Sequence, residues 1–352
     1  MTMDWARLCV DFPLVPAGFK IVPGGSAAEC GGLNYGQRPV LALAFSDDSS
    51  RLAVAGGGMI PGAADINVYD LESMRLTHVC RYHSMGIHDL AFSPGGLLAS
   101  ASHDYSVVLW NLDESDALFL VGGEDAGGSR NRVVFQGDSL FVGDGMTWAD
   151  EQAALRRFDL REGTSEEVAV FQGDQGVANL ALSPEGDTLV LAVEEMRSPG
   201  PPVRMIRIAP GSSSPLEFSF TRPVYDIAAL PAGTMAVVGT SEDDEATCLW
   251  RLNAEGAMAG TWPLGGDISG SLAVSPDGGS FAVGYHHEVT IRDSDAFSAR
   301  RVIKLGEDHV TAVAWSPNAK LLAVGTLERT VRVFEAETGQ ELPGHGLASI
   351  RP

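Results

Sequence analysis

One pattern returns seven times along almost the whole chain: an apolar strand closing on small-apolar-Ser-Pro, a turn with Gly or Asp, then a second apolar strand. It reads VLALAFSDDSSRLAVAGG from Val40, GIHDLAFSPGGLLASAS from Gly86, NRVVFQGDSLFVGDG from Asn131 and GVANLALSPEGDTLVLAV from Gly176. It continues as PVYDIAALPAGTMAVVGT from Pro223, SGSLAVSPDGGSFAVGY from Ser269 and HVTAVAWSPNAKLLAVGT from His309. Aligned on Ser46, Ser93, Gln136, Ser183, Leu230, Ser275 and Ser316, the copies are 47, 43, 47, 47, 45 and 41 residues apart. A four-stranded propeller blade has a period of about 40–45 residues.

A third strand follows each pair and ends at a polar turn: INVYDLES, VVLWNLDES, LRRFDLREG, MIRIAPGSS, CLWRLNAEG, VTIRDSDAF and VRVFEAETG. A looser fourth strand follows in most copies, as in LTHVC, ALFLV and EVAVF. Small and β-branched residues alternate with turns of Gly, Pro, Asp and Asn, and no segment has a convincing helical period. The expectation is an all-β chain: a seven-bladed β-propeller of four-stranded antiparallel blades. A lone blade has two faces to cover, and radial packing gives each face a neighbour while leaving only short edges.

The blades are expected at about 40–80, 86–121, 131–171, 176–220, 223–264, 267–305 and 309–346, forming one domain with an N-terminal segment, 1–39. The last copy has only ELPGHGLASIRP after Gln340, with a Pro and two Gly where its outer strand belongs. Residues near Arg7 to Val10, within WARLCVDF, are expected to supply that strand and pin the ring shut.

The second copy, YHSMGIHDLAFSPGGLLASASHDYSVVLWNLDES, resembles a repeat of the WD-repeat (WD40) family. The resemblance implies a hydrogen-bonded structural tetrad of His83, Ser100, Asp104 and Trp110. Burying an indole, a hydroxyl and an imidazole is costly unless each finds a partner, so such a chain locks its blade. The Ser-His-Asp composition of the set is therefore read as structural and not catalytic. Other copies depart from the pattern: Tyr69, Phe158, Ile208, Arg292 and Phe334 stand at the Trp position, although Trp250 keeps it. Glu328 replaces the turn Asp of the last copy, where the His-bearing dipeptide is missing. The resemblance spans roughly 40–340 and implies a binding platform.

With 24 Lys and Arg against 46 Asp and Glu, the formal charge is −22. That repels nucleic acid and anionic lipid at long range, and points to a protein or peptide partner with a basic surface. Cys9, Cys30, Cys80 and Cys248 show no CxxC pair and no zinc-like spacing, consistent with reduced thiols in a cytoplasmic protein. The N-terminus shows no export signal, and no apolar run is long enough for a membrane span.

Two surfaces offer partner-binding candidates. The positions opening each first strand, Leu41, His88, Asn131, Ala178, Tyr225, Gly270 and Thr311, should ring one channel mouth, with no carboxylate cluster among them. Three successive copies also lengthen the loop between second and third strands. These loops offer Met146, Trp148 and Met196 as apolar anchors. Asp144, Asp150, Glu151, Glu194, Glu195, Glu242, Asp243 and Glu245 surround them with negative charge. His103 with Tyr105 forms a further candidate, joined by His286 and His287 in the corresponding turn of another blade. Adjacent histidines on an extended strand point to opposite faces, so no metal site is expected.

No phosphate loop, GxSxG elbow or HExxH helix occurs in its required context. The expectation is a non-catalytic scaffold or sensor without a cofactor, acting within a multiprotein complex. The alternative is a propeller enzyme, a lactonase-like hydrolase or an isomerase, working at the channel mouth.

Overall fold

A computed structural model of the chain describes residues 19–20, 39–57, 64–113, 116–122, 128–147, 152–195, 203–209, 215–241, 246–265 and 270–342. Seven antiparallel sheets follow one another along it, each built in chain order save for Phe19–Lys20 at the edge of one. Blades 1 to 7 open on the strands Val40–Phe45, Ile87–Phe92, Gly128–Gln136, Gln175–Leu182, Val224–Ala229, Ser271–Val274 and Val310–Trp315. Apart from a 3₁₀ turn at Pro231–Gly233, every regular element among the described residues is a strand.

The recurring Ser makes the inner hairpin. Its hydroxyl accepts the backbone N–H that opens the second strand: Leu97 to Ser93 at 3.0 Å, Ser280 to Ser275 at 2.9 Å and Leu321 to Ser316 at 2.8 Å. Three residues after that Ser the backbone turns left-handed, with φ 86° at Gly96 and 69° at Gly278. Glycine takes this conformation without steric cost, which is why it recurs in the turn.

Burial falls outward. The second strand of blade 2, Leu97–Ser102, is buried at every position. The fourth strand of blade 3, Thr164–Val170, has four exposed residues in succession. The core is accordingly divided: seven apolar clusters form among the described residues, each at the seam between two neighbouring blades. One places Val40, Phe45, Leu52, Val54 and Tyr69 of blade 1 against Ala323, Val331 and Val333 of blade 7, so packing closes the ring. Hydrogen bonds cross the same seam, from Asn318 N–H to Ser49 Oγ at 3.0 Å and from the Thr311 hydroxyl to Val40 O.

The strand expected near Arg7 to Val10 lies outside the described residues. Blade 7 has three full strands, with third strand Val331–Glu335. Just past Gln340 the chain turns back on that strand: Glu341 bridges Phe334, and Leu342 N–H donates to Val333 O at 2.8 Å. At the other end, Phe19–Lys20 pairs antiparallel with the outer strand of blade 2, Asp116–Gly122.

Candidate functional site at the channel mouth

The positions expected to ring the mouth share a backbone irregularity. In six blades the register with the second strand skips one residue: Leu41, His88, Asn131, Ala178, Tyr225 and Thr311 are each passed over between two paired neighbours. A bulge of this kind bends the strand and re-aims its extra residue. Leu41, His88, Ala178, Tyr225, Gly270 and Thr311 line a mouth hollow of about 420 Å³, together with His103 and Arg132. Arg132, one residue beyond Asn131, was not singled out in the sequence, where the bulge that brings it to the mouth leaves no signal.

In blades 2, 5 and 6 the next position along the first strand does a second job. The first strand is the innermost of its blade, so its channel-side N–H groups have no strand to pair with. Side chains from the preceding blade cap them. Val133 N–H donates to Asp89 at 3.0 Å, Leu272 N–H to Asp226 at 2.7 Å and Val313 N–H to Ser271 at 3.1 Å. Arg132 donates to Asn179 Oδ1 at 3.0 Å across the next seam. These bonds form a polar belt around the channel.

Two carboxylates stand one position beyond the ring residues: Asp89 and Asp226 line the channel beside Arg132. Desolvation pushes the Asp89 carboxyl up to about 6 against the opposing pull of Arg132 and of two backbone N–H groups. Desolvation raises Asp226 in the same way. His88 and His103 meet edge to face with ring centroids 3.9 Å apart. Desolvation first, then His103 and Arg132, push His88 down to about 3, and burial and Arg132 also lower His103. At neutral pH both rings are uncharged, leaving Arg132 as the cation of the mouth. Tyr105 occupies the turn of His103, half-buried, with φ 69°.

The tetrad of blade 2 is assembled. His83 Nδ1 donates to Asp104 at 3.0 Å, Ser100 Oγ bonds His83 Nε2 at 2.8 Å, and the Trp110 indole donates to Ser100 Oγ at 2.9 Å. Desolvation works to raise Asp104, but bonds from His83, Ser106 and the Ser84 N–H hold it below its ordinary value. Ser100 is 0 % exposed, so its hydroxyl cannot reach a substrate.

The long loops of blades 3 to 5 lie mostly outside the described residues, which excludes the side chain of Met146 and all of Trp148, Asp150, Glu151, Met196, Glu242, Asp243 and Glu245. Of the acids that are described, Asp144 is buried, accepts the Ala154 N–H and pairs with Arg156, so it is not a surface charge. Its strand, Ser139–Thr147, runs further than the sequence suggests and carries it inside. Glu195 is exposed, whereas Glu194 is half-buried and desolvation pushes it up to about 7.

His286 and His287 occupy the two-residue hairpin between Tyr285 and Glu288, which pair directly. His286 is left-handed at φ 47°, and the two ring centroids are 3.7 Å apart. The expectation that they point to opposite faces assumed extended backbone; a turn removes that alternation.

Residues 74–111 match the family described as "WD domain, G-beta repeat", and residues 297–347 match "Anaphase-promoting complex subunit 4 WD40 domain". The first match runs from the outer strand of blade 1 to the third strand of blade 2 and takes in the whole tetrad. NACHT domain- and WD repeat-containing protein 1 of Mus musculus is 30% identical over 182 residues, and that of Homo sapiens 31% over 176. Each match takes in 49% of this chain and 10% of the relative, so the chain spans about a tenth of their length. A chain from "Crystal Structure of Mitotic Checkpoint Complex" aligns with a TM-score of 0.66 over 90% of this chain and 97% of that one, at 16% identity, a likeness of fold. Repeat period, tetrad, fold and family matches converge: the chain is a seven-bladed WD40-repeat β-propeller.

Proposed function

We propose that this chain is a non-catalytic scaffold that holds a protein or peptide across the channel mouth, within a larger assembly. The observation that carries this reading is the mouth itself: His88, His103, Arg132 and Tyr225, from blades 2, 3 and 5 of the closed ring, stand around one hollow. Arg and Tyr on a rigid support are the side chains that dominate protein-binding hot spots, because little conformational freedom is lost on contact. The Ser-His-Asp set supports the same reading, being committed to holding blade 2 together.

The formal charge of −22 favours a partner with a basic surface over nucleic acid. No helix among the described residues is long and apolar enough to cross a membrane. Cys80 is a buried free thiol, as suits the reducing cytoplasm. The names of two similar proteins, a subunit of the anaphase-promoting complex and a component of the mitotic checkpoint complex, fit a role inside a multiprotein assembly.

The test is affinity purification from the native cell with the intact chain and a His103→Ala, Tyr225→Ala variant, followed by identification of co-eluting chains. The expected result is loss of one specific set of partners at an unchanged melting temperature. Capture by the variant equal to that of the intact chain would remove the mouth as the binding surface.

A further inference from the structure

The seam between blades 6 and 7 gathers three histidines on the face that carries the mouth. His286 and His287 form the hairpin between the second and third strands of blade 6, and His309 immediately precedes the first strand of blade 7. Their rings cluster: His287 and His309 have centroids 4.2 Å apart, and His286 and His309 5.5 Å. One nitrogen from each ring lies within 4.8 Å of the other two. The Nδ1 atom of His287 is buried with no hydrogen-bond partner among the described residues. A buried ring nitrogen of that kind is costly unless something binds it.

The third ring is oriented. His309 Nδ1 bonds Glu328 Oε1 at 2.9 Å, and the His309 backbone N–H donates to Glu328 Oε2 at 2.7 Å. Glu328 stands at the turn position that Asp104 fills in blade 2, but His309 takes the place of Gly86, three residues on from the tetrad histidine. Val324 stands where blade 2 has Ser100, so blade 7 lacks the tetrad hydroxyl. A carboxylate on one imidazole nitrogen is the arrangement that fixes a metal-binding tautomer, directs Nε2 to the ion and raises the basicity of the ring.

We propose that His286, His287 and His309 bind one divalent ion of the zinc class, with Glu328 as the residue that positions His309. Three neutral imidazoles suit zinc, and three protein ligands leave a fourth tetrahedral position open. Metal–nitrogen bonds of about 2.0–2.1 Å place tetrahedral corners about 3.3 Å apart, so rotating the rings by roughly 1 Å closes the set. His286 and His287 also line a hollow of about 340 Å³ with Leu264, Tyr285, Glu288, Lys304 and Gly306, beside which the open position would lie. The ion would sit on the recognition face, where its open position can take a water or a ligand atom from a partner.

The full chain, freed of affinity tag and chelated, is titrated with Zn2+ by calorimetry and with Co2+ by visible absorption. The expected result is one saturable site per chain, the d–d bands of a low-coordinate nitrogen site with Co2+, and a melting temperature raised by Zn2+. His287→Ala with His309→Ala should abolish all three responses, while His78→Ala, on the outer strand of blade 1, leaves them unchanged. Glu328→Gln should weaken Zn2+ binding about tenfold to a hundredfold without changing the Co2+ band positions. Circular dichroism of each chelated variant separates loss of the site from loss of the fold. Absence of saturable binding by the intact chain, or undiminished binding by a folded His287→Ala, His309→Ala variant, overturns the proposal.

Discussion

The carboxylate of Asp89 in blade 2 accepts the backbone N–H of Val133 in blade 3 at 3.0 Å, reaching across a seam between two sheets that share no strand. Asp226 repeats the reach from blade 5 to Leu272 in blade 6. Each carboxylate also accepts an N–H of its own strand, Leu90 or Ile227, at 2.9 Å. Removing either side chain leaves a channel-edge amide without its acceptor. Asp89→Ala and Asp226→Ala should each lower stability by about 1–3 kcal/mol in urea unfolding, and the double variant should show a coupling term because both carboxylates interact with Arg132. Amide exchange should locate the damage, speeding at Val133 in the first variant and at Leu272 in the second.

Ser100 is both the acceptor of the Trp110 indole and the partner of His83 Nε2. Ser100→Ala strands two buried polar groups at once and should cost about 2–4 kcal/mol by thermal or chemical denaturation. Partner capture by the folded variant should equal that of the intact chain. Selective loss of capture at an unchanged melting temperature would reassign Ser100 from structure to recognition.

Glu194 has its carboxyl pushed up to about 7 by desolvation, from an ordinary value near 4.5. Between those values the folded chain holds a proton that the unfolded chain has released, so raising the pH across that window favours unfolding. Glu194→Gln removes this dependence. The variant should melt with the intact chain near pH 4 and above it at pH 8, by about 1 kcal/mol once solvent screening of a half-buried group is allowed for. Equal melting temperatures at both pH values would show that the carboxylate is solvated.

Gly325 on the second strand of blade 7 faces Val40 of blade 1: a Cβ at this glycine would lie 2.5 Å from Val40 Cγ1 and 2.9 Å from its Cβ. The same fit recurs where Gly143 meets Val177 and where Gly284 meets Val310. Gly325→Ala should therefore overpack the seam that closes the ring and cost about 1–3 kcal/mol. Val40→Ala in the same chain should recover part of that loss, a coupling that a double-mutant cycle of melting curves would read.

Strand order, blade number and hairpin chemistry were legible in the sequence because each depends on residues close together in the chain. The Ser-Pro-x-Gly turn needs a side-chain acceptor at one end and a left-handed residue three positions on, and both recur at a fixed spacing. His83, Ser100, Asp104 and Trp110 could be named together because they belong to one repeat, with spacing set by two hairpins. Six of the seven expected mouth positions, Leu41, His88, Ala178, Tyr225, Gly270 and Thr311, were legible for the same reason, as one slot repeated from copy to copy.

Contacts between copies were not legible. Arg132 faces the mouth because a bulge passes over Asn131, and Asp89 reaches Val133 because radial packing sets two sheet edges side by side. His286, His287 and His309 come together only because a tight turn reverses the chain at the first pair and the neighbouring blade supplies the third ring. A repeated sequence determines what each sheet is, since periodicity and turn chemistry act within a few residues. Which side chains meet across a seam depends on register, bulges and the angle between blades, and the closed ring alone decides those.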